Sequence, residues 1–116
     1  MNPRLLIVIT SDPRTSPKPA EAVRIAAGVG TWRKVAVTIY LRDAAVLALS
    51  EFPDGLIDEA NFTRYLPLVP ESGGLICVQR GASSLKEIGA APVSFREIDD
   101  DELSGLAATH RYVTRF

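Results

Sequence analysis

The chain alternates short apolar runs, which are typical of buried strands, with segments whose apolar residues recur at helical spacing. Residues 4–10 are apolar and β-rich, as expected for a strand that is covered on both faces. Residues 34–41 carry branched aliphatic side chains at every second position, Val35, Val37, Ile39 and Leu41, which predicts a second strand. Further strands are predicted at residues 75–78, 93–98 and 110–116.

Helical patterns lie between these strands. Residues 20–29 carry small apolar residues on one face and predict a helix that is ended by Gly28 and Gly30. We assign Asp43 as the N-cap of a short helix over residues 44–49. That helix is apolar on every side and needs cover all round, for which another subunit is one source. Further helices are predicted at residues 58–66, 83–88 and 101–109.

The order of elements predicts the fold class. Strict alternation of strands and helices is typical of a three-layer α/β/α sandwich with a mainly parallel central sheet, here of about five strands. The crossover connections should be right-handed. The length of 116 residues predicts one domain that spans residues 1–116.

Composition narrows the range of partners. The net charge of -1 and the low aromatic content disfavour nucleic-acid binding. No apolar run approaches the ~20 residues of a membrane span. The apolar run near the N-terminus is short for a signal peptide, and a single cysteine fits a reducing compartment. We therefore expect a cytoplasmic protein.

Cys77 is the only cysteine, and it lies where a predicted strand passes to a predicted helix. Ligands and chemistry collect at this edge of open α/β sheets. A helix that begins directly after Cys77, or the Arg80 cation, would lower the pKa of the thiol. A capping box between Ser84 and Glu87 would instead start the helix too late to help. The other interpretation is a buried cysteine that only fills space.

Three other residues are candidates for a pocket at the same edge. Ser11 and Asp12 follow the first strand and precede a helix, where an anion could bind, although a solvated turn explains them as well. Arg42 follows the second strand and could flank the same cleft, or be a surface cation beside a helix cap. His110, the only histidine, is expected at a surface or boundary. No metal-ligand spacing and no phosphate-binding glycine loop occurs, so we predict no metal and no cofactor.

These patterns together resemble a known family. The chain is similar to the DsrE/DsrF-like proteins, of the TusD type that takes part in sulfur relay, in diffuse hydrophobic patterns that span nearly its whole length. The similar segments are residues 5–13, 20–30, 35–41, 74–78 and 96–116. The resemblance implies a DsrE-like, flavodoxin-like α/β/α domain that assembles as a homo-oligomer, a trimer or hexamer.

The resemblance also implies an activity. One cysteine of the family accepts a sulfane sulfur as a persulfide from a donor protein and passes it to an acceptor protein, and Cys77 matches it by position. Arg80 would then stabilise the anion, and Ser11, Asp12 and Arg42 would border the pocket. The run from Gln79 to Gly81 departs from the family pattern, because it is an awkward start for a supporting helix. The alternative is a non-enzymatic oligomeric module that binds a small ligand or a protein and has a structural Cys77.

Overall fold

The computed structural model describes residues 2–116 and contains one five-stranded sheet. Its strands are β1 (Arg4–Ile9), β2 (Ala36–Leu41), β3 (Leu75–Gln79), β4 (Arg96–Ile98) and β5 (Tyr112–Arg115). The α-helices are α1 (Lys18–Trp32), α2 (Ala60–Tyr65), α3 (Leu68–Glu71) and α4 (Asp100–Thr109). Two 3-10 helices cover Asp43–Leu49 and Ser83–Lys86. Every strand pairing is parallel, and the predicted fold class is confirmed.

The strand order is β4-β3-β2-β1-β5. From β1 to β4 the chain advances across the sheet one strand at a time, and it then returns through α4 to pair β5 with β1. A right-handed crossover places its helix on one face when the chain advances and on the opposite face when it returns. This reversal separates α4 from all other helices.

The face that α1 covers holds the larger core. Alternate residues of the strands point into it and pack against the alanine-rich side of α1 and against the helices that follow β2. Small side chains on α1 let the helix lie close to the sheet. The largest fully buried members of this core are Ile7, Ile9, Ile39, Leu41, Leu49 and Leu66.

The opposite face holds a smaller core under α4. It consists of Leu6, Val8, Tyr40, Cys77 and Ile98, with Leu103, Leu106 and Ala107 of α4 packed on them. Those three helix residues are only partly buried, and none of the ten residues of α4 is fully buried. One side of the sheet therefore has a thin cover.

The predicted end of α1 is wrong. The helix continues through Gly28 and Gly30 to Trp32, and Arg33 ends it in the left-handed conformation with φ of 60°. Gly30 serves close packing and not termination, because a Cβ there would lie 2.7 Å from Ser72 Oγ. Tertiary contact thus outweighs the low helix propensity of glycine.

The predicted helix cap at Asp43 is also wrong. Asp43 has a φ of 54° and belongs to the first 3-10 helix, and its backbone N–H donates to Gln79 Oε1 at 2.9 Å. Residues 45–49 are buried within this one chain. The cover expected from another subunit is therefore supplied by the chain itself.

The predicted capping box of Ser84 and Glu87 does not form either. The second 3-10 helix begins at Ser83 with no side-chain cap. A capping box forms instead at α4, where Glu102 N–H donates to Asp99 Oδ1 at 2.8 Å and Asp99 N–H donates to Glu102 Oε1 at 3.2 Å. The acidic first turn of α4 agrees with the prediction that its charge favours a helix start.

His110 is buried, contrary to the expected surface or boundary position. Its Nδ1 faces the Leu106 carbonyl oxygen at 2.5 Å, and its Nε2 lies 2.9 Å from Thr38 Oγ1. Because a carbonyl oxygen only accepts, Nδ1 carries a proton, and in the neutral imidazole Nε2 then accepts from the Thr38 hydroxyl. The imidazole thus ties the end of α4 to β2.

Within residues 2–116, no helix combines the length and the apolar character that crossing a membrane requires.

Gly74 provides a test of the packing between α3 and β3. A Cβ at this position would lie 2.8 Å from Val69 Cγ1 and 2.9 Å from the Val37 carbonyl oxygen. We expect Gly74→Ala to lower the free energy of unfolding by about 1–3 kcal/mol through overpacking, as measured by urea denaturation. Gly28→Ala is the control, because nothing lies within 4 Å of its Cβ. Equal stability of the two variants would contradict the packing described here.

Candidate functional site

Cys77 lies inside β3, two residues before its carboxyl end at Gln79. Its sheet neighbours are Tyr40 on β2 and Arg96 on β4. The side chain points to the α4 face and is 2% exposed. The expected junction of strand and helix is therefore displaced. The next helix begins only at Ser83, so no helix amides reach the sulfur.

The thiol belongs to the apolar cluster of the smaller core, against which α4 packs Leu103, Leu106 and Ala107. Burial raises the pKa of Cys77, the Arg96 cation lowers it, and the Glu102 carboxylate raises it. Burial is the largest of these causes, so the net shift is upward. Of the two interpretations of Cys77 that the sequence left open, the structure therefore shows the buried cysteine, with a thiol pKa that is raised and not lowered.

Arg96 is the cation beside the thiol, and sequence analysis missed it. Its side chain is mostly exposed and lies 3.8 Å from Glu102 Oε2. Alternation within residues 93–98 indicates that Arg96 and Ile98 share a face. The sequence does not show the register in which β4 pairs with β3, so nothing in it places Arg96 beside Cys77.

Arg80 follows β3 and is directed to the start of α4. Its guanidinium lies 3.4 Å from Asp99 Oδ2 and 3.2 Å from Glu102 Oε1, and it also donates to the Glu97 carbonyl at 3.2 Å. The chain leaves β3 towards one face of the sheet and leaves β4 towards the other, and a crevice is expected at such a switch point. Here the ion pairs of Arg80 occupy it.

Arg42 reaches the same cluster through Tyr40. Its Nη1 donates to the Tyr40 hydroxyl at 3.1 Å and to Asp100 Oδ1 at 2.8 Å. Tyr40 is fully buried next to Cys77, and burial raises the pKa of its hydroxyl. Arg42 therefore joins the end of β2 to the first turn of α4.

Ser11 and Asp12 lie in the loop that leads from β1 to α1, the helix that packs on the face of the sheet opposite Cys77. Asp12 Oδ1 accepts from the Arg14 backbone N–H at 2.9 Å and from Nε at 3.0 Å, and these bonds lower the pKa of the Asp12 carboxyl. Across the described part of the chain, no hydrogen bond or ion pair joins Ser11 or Asp12 to Cys77. Their geometry is that of a self-contained turn.

A shallow groove of about 300 Å³ lies between β4 and α4. It is lined by Arg96, Ile98, Glu102, Gly105, Leu106 and Thr109. The groove adjoins the cover of Cys77 but does not include the sulfur. A second cavity of about 220 Å³, lined by Phe62 and Leu66 among others, lies on the α1 side and away from the thiol. In the described residues, no group of three or more His, Cys, Asp or Glu side chains could hold a metal ion.

The two arginines can be distinguished by titration of Cys77. Because Arg96 lowers the pKa of the thiol, we expect Arg96→Gln to raise that pKa further. Arg80→Gln should change it less, because the charges that shift Cys77 are those of Arg96 and Glu102. NMR of the labelled cysteine Cβ as a function of pH measures both shifts. A larger effect from Arg80→Gln would show that Arg80, the cation that the sequence favoured, acts on the thiol more strongly than Arg96.

The buried thiol also predicts a pH dependence of stability. Its pKa is raised above the usual 9.0, so the folded state holds the proton more tightly than the unfolded state does. The stability that follows from this tighter proton binding is fully present below pH 9.0. It is lost as the pH rises through the folded-state pKa of Cys77. The free energy of unfolding should therefore fall more steeply above pH 9.0 in the unaltered chain than in Cys77→Ala. Parallel pH profiles from urea denaturation would show that the thiol is not desolvated.

Comparison with known proteins agrees with the architecture. No family model matches the sequence, and no curated protein matches it. Among solved structures, the ychN protein from E. coli is similar with a TM-score of 0.77 over 100% of both chains, at 16% sequence identity. At this identity the likeness concerns the fold alone. The chain shares the α/β fold of this protein, with a five-stranded parallel sheet and helices, which agrees with the predicted fold class.

Proposed function

We propose that this chain is a sulfur-relay carrier, which accepts sulfane sulfur as a persulfide on Cys77 and passes it to an acceptor protein. Three features support the proposal: the DsrE-like fold, the family resemblance of the sequence, and a single thiol that has no resolving cysteine. The proposal places the protein in a reducing compartment such as the cytoplasm.

The chemistry needs one thiolate and no cofactor. The Cys77 thiolate attacks the outer sulfur of a donor R–S–SH, the S–S bond of the donor breaks, and the donor leaves as R–S⁻. Cys77 then carries the outer sulfur and its proton as Cys–S–SH. In the second step an acceptor thiolate attacks that outer sulfur, and Cys77 leaves as a thiolate. Both steps are exchanges at sulfur with no net oxidation.

The position of Arg96 is the observation that carries the proposal. Among residues 2–116, its guanidinium is the cation that lowers the pKa of Cys77, and it belongs to the strand that pairs directly with β3. A cation at this place favours the thiolate and the leaving thiolate of the second step. Its mostly exposed side chain also lets an anionic donor group approach from solvent.

The burial of Cys77 sets a condition on this chemistry. A cysteine residue that is 2% exposed leaves no room for a donor protein to approach its sulfur. The reaction therefore proceeds from a conformation in which the cover of the thiol has moved. The same movement removes the desolvation that raises the pKa of Cys77.

A second candidate function has its own supporting observation. The burial of Cys77 also fits a structural cysteine in a non-enzymatic oligomeric binding module. Leu75 and Val113, which are 54% and 44% exposed, lie on the α4 face of the sheet and offer apolar area for self-association, for example in a trimer or hexamer.

Sulfur loading distinguishes the two candidates. We expect the native chain, incubated with inorganic polysulfide as sulfane donor, to gain one sulfur atom in intact mass spectrometry. The gain should be absent in Cys77→Ala and slower in Arg96→Gln, whereas Arg24→Gln, which alters an exposed arginine on α1, should load like the unaltered chain.

The unfolded chain is the remaining control. A chain that gains sulfur in urea but never in its native state would refute the relay and support the structural cysteine. Equal loading of the Arg96→Gln and Arg24→Gln variants would refute the role of Arg96.

A further inference from the structure

We infer that α4 is a cover that unfolds locally, from its first turn, while the rest of the fold stays intact, and that this opening controls access to Cys77. The claim that this opening regulates sulfur transfer rests on the proposed function. The opening itself is a property of the folded chain and can be measured without any sulfur donor.

The packing of α4 is weak compared with that of α1. Seven of the fifteen residues of α1 are buried, and none of the ten residues of α4 is. The helix is attached to the sheet by Leu103, Leu106 and Ala107, all of them partly buried. Segments with few buried apolar contacts open at lower free energy than the global unfolding of a protein.

The beginning of α4 is held by ion pairs at the surface. Arg42 pairs with Asp100, and Arg80 pairs with Asp99 and Glu102. Each pair includes at least one largely exposed side chain. Ion pairs of this kind contribute little to stability, so they hold the helix only loosely.

The end of α4 is held differently. His110 is buried and is hydrogen-bonded both to the Leu106 carbonyl and to the Thr38 hydroxyl. Breaking these bonds would leave buried polar groups without partners, which is costly. The helix therefore unfolds from its first turn towards its end, where His110 stays attached to Thr38 of β2.

Gly105 weakens the helix in its middle. Glycine is the least favourable helix residue apart from proline. A Cβ at this position would meet nothing within 4 Å, so no packing requires a glycine here. Gly28 in α1 is equally open, which provides a matched position on the opposite face of the sheet.

The two glycines make a paired experiment. Cys77 of the full chain is alkylated with iodoacetamide at low urea concentrations, and the rate is followed by mass spectrometry. The labelling rate is the product of the opening equilibrium and the reactivity of the open thiol. Gly105→Ala should slow labelling about fivefold, from the helix propensity difference between glycine and alanine. Gly28→Ala should raise global stability by a similar amount and leave the labelling rate unchanged.

The urea dependence of labelling gives an independent measure. Opening of one helix exposes far less surface than unfolding does, so the labelling rate should vary with urea much less than the unfolding equilibrium does. The inference would be overturned if both substitutions slowed the labelling of Cys77 equally and the labelling rate varied with urea as steeply as global unfolding does. A labelling rate that neither substitution changes would also overturn it.

Hydrogen exchange decides the question if Gly105→Ala does not fold. In the unaltered chain, the amides of α4 should exchange at a lower free energy than those of α1, and exchange of both helices with the same free energy would overturn the inference. If α4 opens separately but the chain gains no sulfur from polysulfide, the relay is refuted and the inference about α4 stands. Sulfur loading without separate opening of α4 would refute only the cover.

Discussion

The return of the chain from β4 at one edge of the sheet to β5 at the other determines what surrounds the thiol. The return reverses the direction of travel, and a right-handed crossover must then place α4 alone on its face. The opposite face receives every other helix and the larger core. The asymmetry of cover, and with it the thin layer over Cys77, follows from this one connection.

Charge is concentrated where that connection begins. Three arginines, Arg42, Arg80 and Arg96, extend from the ends or edge of three neighbouring strands and meet the acidic first turn of α4. The same carboxylates that cap the helix therefore neutralise the cations that would otherwise attract an anion to Cys77. The attachment of α4 and the charge around the thiol thus depend on the same groups.

Periodicity was sufficient to predict the parallel sheet, the element order and the acidic start of α4, because strand and helix patterns are local properties of the chain. It was not sufficient where tertiary contacts decide the outcome. Gly30 is retained in α1 by its approach to Ser72, and Asp43 is held in a left-handed conformation beside Gln79. Of the site residues, Cys77 and Arg42 are brought to one cluster through Tyr40, whereas Asp12 is bonded within its own turn to Arg14.

The sequence by itself determined that this is an alternating α/β chain with one thiol on its third strand, since both statements need only the order of residues. Only the tertiary structure decided that the thiol is buried, that its charged neighbours are Arg96 and Glu102, and that a single helix covers it. The physical reason is that strand register and the face taken by a crossover helix arise from contacts between residues distant in the chain. Such contacts leave no periodic trace in the sequence.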